Sequence, residues 1–290
     1  MKQISADRWL VRVALSPTFV VAAVFLYGFA VWTGWISLTS STLLPNNDFV
    51  GLAQYDRLWA NPRWLTAYGN LFIYGILYVG FCVAIGLGLA ILLDRRIRGE
   101  GVLRTIYLYP LAISFVVTGT AWRWILSPSF GVQHIVRDLG WSGFSFDWLG
   151  NPDRAIYAVV LAGVWQSSGF AMAIFLAALR GIDDEIVKAA RIDGAPLWKI
   201  YAYILVPMLR PAFLTVTILL GVAVLRNFDL VVVLTGGGPG YASDLPSRFM
   251  YEMAFRRDQL GLGAASAMMM LFTFLAIIVP YLYSELRMRR

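Results

Sequence analysis

The sequence predicts an all-α membrane protein with six transmembrane helices. Three observations predict it. Of 290 residues, 59% are hydrophobic and 14% charged, whereas a soluble domain is nearer half apolar with about a quarter charged. Asp, Glu, Lys and Arg are absent from residues 13–47, 64–93, 105–122, 155–179 and 259–284, and a bilayer core takes about 20 apolar residues per helix. The cations, finally, gather in alternate loops, as a fixed membrane orientation requires.

The expected helices run over about 13–39, 66–93, 103–126, 155–179, 211–234 and 259–284, in one membrane domain spanning 1–290. The first is too long for a secretory h-region and lacks a clear small-residue cleavage site. The second, fourth and sixth are uninterrupted. The third is short, and the fifth is broken by Arg226 and Asp229. Trp32, Trp35, Trp64, Trp122 and Trp124 lie near expected helix ends, where interfacial anchors belong. With the N-terminus inside, 15 of the 24 Lys and Arg fall on the cytoplasmic side, including Arg96, Arg289 and Arg290, and seven on the outer side. Both termini are therefore expected in the cytoplasm. The net charge of +7 follows from this topology and does not call for nucleic acid.

The loop from Arg180 to Pro211 reads RGIDDEIVKAARIDGAPLWKIYAYILVPMLRP. Asp183 or Asp184 can cap a helix over about Glu185–Ile192. Asp193-Gly194 ends it, Pro196 opens a second helix through about Val206, and Pro207 kinks or stops that one. Ala189 and Ala190 offer little bulk, so a partner surface can approach closely. Spacing alone leaves open whether this is a docking element or a plain amphipathic connection.

KAARIDGAP followed by ILVPMLRP resembles the "EAA" loop of binding-protein-dependent ABC transporter permeases. Ala189, Ala190, Asp193, Gly194, Ala195, Pro207 and Pro211 match the pattern. Lys188 stands where the family usually has Glu, and Val206 where it has Leu. Glu185, one turn earlier, is the carboxylate available in place of the missing one. NFDLVVVLTGGGPG, residues 227–240, is similar to the end of the fifth helix in maltose-type carbohydrate permeases. TGTAWRWILSP, WQSSGF and DLPSRFMYEMAFRRDQLG look like permeases for glucose and mannose or for α-glucosides.

This resemblance implies a type I ABC importer permease fold and a multi-pass protein of the bacterial inner membrane. It implies an ATPase-coupling loop at 180–211, with Glu185, Lys188, Ala189, Ala190, Asp193, Gly194, Ala195 and Pro207 at the contact. The implied partners are a second homologous permease, two cytoplasmic ATP-binding subunits and an extracytoplasmic sugar-binding protein met by Trp141, Phe144 and Trp148. No cofactor is expected on this chain; ATP and Mg would sit on the ATPases. The substrate implied is a glucose- or mannose-type monosaccharide. An α-glucoside, a polyol, glycerol phosphate or a sulfonated sugar are the alternatives.

Ionisable groups at membrane depth are functional candidates. Arg226 and Asp229 are three residues apart and so share one helical face, where they can pair; the pair reads equally as a self-neutralising structural device. Asn227, Phe228 and Asp229 supply the planar polar and aromatic groups that sugars need. Trp165, Gln166, Ser167, Ser168, Gly169 and Phe170 in the fourth helix form a second candidate cluster, with Trp165, Gln166, Ser168 and Phe170 the candidate contacts, though such residues also serve helix packing. TGGGPG lacks the Lys-Ser/Thr and the strand-to-helix setting of a phosphate loop and reads as a flexible glycine turn. Cys82 is the single cysteine and His134 the single histidine; their spacing supports neither a metal site nor a catalytic triad. A stand-alone secondary transporter would need a coupling-ion site in broken, repeated helices, and the sequence shows no such pairing.

Overall fold

The computed structural model describes residues 2–46, 48–95 and 98–288, with side chains for 16–46, 48–95 and 98–283. Arg96, Arg289 and Arg290, counted above to the inner side, lie outside the described residues. Among the described residues every regular element is a helix, joined by turns and loops. In order come α1 (Lys2–Ile36), α2 (Ala53–Trp59), α3 (Pro62–Asp94), α4 (Glu100–Ala112), α5 (Phe115–Ile125), α6 (Val132–Asp138), α7 (Ala155–Arg180) and α8 (Asp184–Ile192). Then follow α9 (Leu197–Lys199), a π-helical stretch (Ile200–Leu205), α10 (Val206–Met208), α11 (Arg210–Arg226) and α12 (Asp229–Leu234). The chain ends with α13 (Pro246–Tyr251), a second π-helical stretch (Glu252–Arg256) and α14 (Leu260–Met288). Thr39 and Phe49 form one isolated antiparallel bridge.

Ser16–Ile36, Pro62–Asp94, Ala155–Arg180 and Leu260–Tyr283 are each long and apolar enough to cross a membrane. Two bent pairs bring the number to six if each is one span: α4 with α5, meeting at 101°, and Leu197–Met208 with α11, at 66°. The third expected helix is thus two. Ile113 is extended and Ser114 caps α5, its hydroxyl accepting from the Val117 amide at 3.3 Å. The fifth expected helix stops at Arg226, turns through Asn227 and Phe228, and resumes as α12.

Two compact units are present. In the first, residues up to Asn61 with Phe249–Thr273, the Gln54 amide donates to the Thr39 carbonyl at 2.9 Å, and the Gly261 amide to the Ser41 carbonyl. The second, Pro62–Arg248 with Phe274 onward, holds the larger core, in which Tyr74, Tyr78, Met172, Phe175, Leu220 and Leu230 are buried. Its α3 and α7 lie against each other. A Cβ on Gly86 would stand 2.6 Å from the Ala171 side chain, so glycine is what lets the two backbones approach. Gly169 does the same for α4, because the Tyr107 carbonyl occupies the place of its missing Cβ.

Trp64 is a correction to the expected set of anchors. It is fully buried, stacked on Tyr68 at 5.4 Å, whereas Trp32, Trp35 and Trp124 are exposed. The glycine turn is a second correction, because it is pinned. Gly236, Gly237 and Gly240 take positive φ, which only glycine adopts without cost. Beside them Asp244 is completely buried and accepts from Arg63 Nε at 2.7 Å and from Arg248 at 3.1 Å. Asn70 donates to the Ala242 and Asp244 carbonyls, and the Tyr241 ring lies 4.9 Å from the Arg63 guanidinium.

Candidate functional site

A cavity of about 460 Å³ opens in the second unit, lined by α3, the α4–α5 elbow, α7 and the α11–α12 break. Tyr78, Ser167, Phe170, Arg226, Asn227 and Asp229 face it, with Leu111 and Phe115 on its apolar wall. The Tyr78 phenol and the Ser167 hydroxyl are hydrogen-bonded at 2.8 Å. Asn227 is decisive for the chemistry. It is 5% exposed, and no well-formed hydrogen bond reaches either side-chain amide atom, the Tyr74 phenol being the polar neighbour beside it. A buried amide with open donors and acceptor is unfavourable by about 1–3 kcal/mol until something completes it. The break presents it: Asn227 follows the last turn of α11, and its carbonyl accepts from the Ser247 hydroxyl at 3.0 Å.

Among the described residues no ion pair joins Arg226 to Asp229. The helix ends between them, so the spacing of three no longer places them on one face. Both are exposed and line the cavity. Of the fourth-helix cluster, Phe170 reaches the cavity. Trp165 packs edge-on against Trp122 at 6.0 Å, and Gln166 donates to the Ile113 carbonyl at 2.7 Å. Neither they, nor Ser168, nor Phe228, lines the cavity. Tyr78 and Ser167 do. Ser167 stood inside the cluster, but Tyr78 lies 89 residues away in sequence and carried no local signal.

The 180–211 loop forms a second surface. Asp183 caps α8 and accepts from the Glu185 amide at 3.0 Å. At the other end, the Ala195 amide donates to the Ala190 carbonyl and the Gly194 amide to the Arg191 carbonyl, with Gly194 at φ +77°. This is a Schellman closure, in which glycine supplies the left-handed residue. Ala190 is buried and Ala189 exposed; Lys188 and Glu185 pair with each other at 2.7 Å on the open side. The second helix runs on through Pro207 to Met208, and the bend falls at Leu209. Pro207 has no N–H to give the turn before it, and that turn is widened to π geometry. Pro211 then withholds the next N–H and allows the chain to turn into α11. Two contacts tie the loop to the bundle: the Tyr201 phenol donates to Asp94 at 2.7 Å, and Arg180 pairs with Glu100 at 2.7 Å.

The model of the family described as binding-protein-dependent transport system inner membrane component matches residues 82–290. The chain belongs to this family. A probable ABC transporter permease protein of Pyrococcus horikoshii is 39% identical over 281 residues, covering 96% of each chain. The xylose/arabinose import permease protein of Haloferax volcanii is 35% identical, over 92% of this chain and 85% of that one. The trehalose/maltose transport system permease protein of Thermococcus litoralis is 33% identical, over 92% and 90%. A chain from the crystal structure of a bacterial ABC transporter importing the acidic polysaccharide alginate shares the fold. Its TM-score is 0.85 at 20% identity, covering 100% of this chain and 99% of that one. The chain is thus an all-helical membrane permease of an ABC importer with several apolar helices, and the matched region includes both the loop 180–211 and the α11–α12 break at 227–228.

Proposed function

We propose that this chain is one of two permease subunits of an ATP-driven sugar importer, crossing a bacterial inner membrane six times with both termini in the cytoplasm. Each bent helix pair serves as one span, and the excess of Lys and Arg on the inner side sets the orientation. A second homologous permease completes the path, two cytoplasmic ATP-binding subunits carry ATP and Mg, and an extracytoplasmic binding protein delivers the sugar. α8 with its Schellman closure is the ATPase-docking element, its partner approaching over Ala189 and over the Lys188–Glu185 pair.

The observation that carries the substrate class is the buried, incompletely hydrogen-bonded Asn227 amide in a cavity that also holds Phe170, Asp229 and the Tyr78–Ser167 pair. Planar donors and acceptors match sugar hydroxyls, and an aromatic ring takes a C–H face. The relatives named for xylose and arabinose, and for trehalose and maltose, support a neutral sugar. Within that class the reading is a glucose- or mannose-type monosaccharide, with an α-glucoside as the alternative.

The test is ATP hydrolysis by the reconstituted complex with sugar-loaded binding protein, comparing wild type with Gly194→Asp and Asn227→Leu. Stimulation by glucose or mannose, abolished by Gly194→Asp, together with slower sugar uptake in Asn227→Leu, is expected. Stimulation that survives Gly194→Asp would remove the docking role of the loop. Uptake unchanged in Asn227→Leu would remove the cavity from the path.

A further inference from the structure

Gln166 has a place that the sugar reading does not use. It is 3% exposed, and its Nε2 donates to the Ile113 carbonyl at 2.7 Å. Ile113 is the extended residue at the 101° elbow between α4 and α5. A helix that breaks at membrane depth leaves carbonyls without intrahelical donors, and no water is at hand in hydrocarbon to replace them. One side chain from α7 meets that need here. One turn further along α7, Gly169 receives the Tyr107 carbonyl against its backbone. α4 is therefore seated on α7 at one point and latched at a second. The two residues flanking the latch, Leu111 and Phe115, form the apolar wall of the cavity. Gln166 Oε1 is buried and has no partner, so the side chain is held by its donor end alone.

We propose that Gln166 is a positioning residue that latches the α4–α5 elbow and so fixes the wall carrying Leu111 and Phe115. It acts on the solute through that wall and does not contact the solute itself. Releasing the latch lets the elbow swing and opens further a wall whose Leu111 and Phe115 are already partly exposed. The inference rests on the cavity lying on the path, but the latch itself is measurable without any solute.

The experiment uses the full complex in lipid nanodiscs, with Cys82→Ala and Phe115→Cys as the background. The labelling rate of the introduced thiol by a charged methanethiosulfonate is compared with and without Gln166→Met, which keeps the volume and removes the donor. The expected result is a rise of about threefold to tenfold, the change in an opening equilibrium when one net hydrogen bond is lost. Sugar uptake in the same variant should show a raised KM at a similar maximal rate. An unchanged labelling rate with a raised KM would overturn the proposal, since it would make Gln166 a direct contact. An unchanged rate with unchanged KM would overturn it too. Gln166→Asn, which keeps the donor on a shorter arm, should label at a rate between the other two. If the labelling rises while no sugar stimulates even the wild type, the latch stands and the sugar assignment falls.

Discussion

Asp244→Asn tests the buried charge cluster beside the glycine turn. Asp244 is completely buried, Arg63 is 6% exposed, and the two meet at 2.7 Å. The substitution keeps shape and removes charge, leaving the buried Arg63 guanidinium beside the partly exposed Tyr241 ring and without its carboxylate. Breaking a buried pair from one side costs about 3–5 kcal/mol, because the remaining ion is uncompensated. Arg248 is 19% exposed and can turn towards water, so it adds little to that sum. For a chain of this size each kcal/mol moves Tm by roughly 2–4 °C, giving a fall on the order of 10 °C. The assay is thermal unfolding of the purified complex, followed by tryptophan fluorescence and by loss of the size-exclusion peak. Arg63→Met combined with Asp244→Leu removes both charges and should recover most of the loss. A fall of under about 3 °C in Asp244→Asn, near 1 kcal/mol, would refute the argument. A double variant no more stable than the single would refute it equally.

Two further outcomes follow from the helix contacts. Gly169→Leu places a side chain where the Tyr107 carbonyl lies, so α4 must lift from α7; overpacking costs about 1–3 kcal/mol, and a lower yield of folded complex after detergent extraction would show it. Tyr201→Phe removes the bond to Asp94 that ties the 180–211 loop to the end of α3, worth on the order of 1–2 kcal/mol. Amide exchange over residues 197–208 should then quicken by about 5- to 30-fold, and unchanged exchange would mean that the loop is held elsewhere.

The parts of the fold legible in the sequence are those set by local physics. Runs without charge locate the long apolar helices because lipid excludes ions over a fixed thickness. The Asp183 cap and the Asp193-Gly194 stop are equally local, and the observed α8, Asp184–Ile192, sits between them. The breaks were harder to read. At Ile113–Ser114 nothing in the hydrophobic pattern changes; the local signals were Pro110, which withholds an N–H in the turn before, and Ser114, a capping residue inside an apolar run. At Asn227 the helical assumption itself misled, since pairing Arg226 with Asp229 presumes an unbroken turn. Gln166 was legible as a buried polar residue that needs a reason, but its partner is a carbonyl 53 residues earlier. Tyr78 and Arg63 were missed for the same cause. Their partners, Ser167 and Asp244, come from distant segments, and no local periodicity encodes a meeting across the bundle.

The 181 residues between Arg63 and Asp244 also have a meaning in time. A ribosome adds about 5–20 residues per second. From the synthesis of Arg63 to that of Asp244, roughly 10–40 s must pass at this rate. Over that interval the guanidinium has no carboxylate to receive it, and Asn70 has no loop to hold. The Pro62 end of α3 is therefore completed only after the segment carrying Ala242 and Asp244 has been made. A nascent chain that stalls before residue 244 would leave Arg63 without the carboxylate it meets in the finished fold.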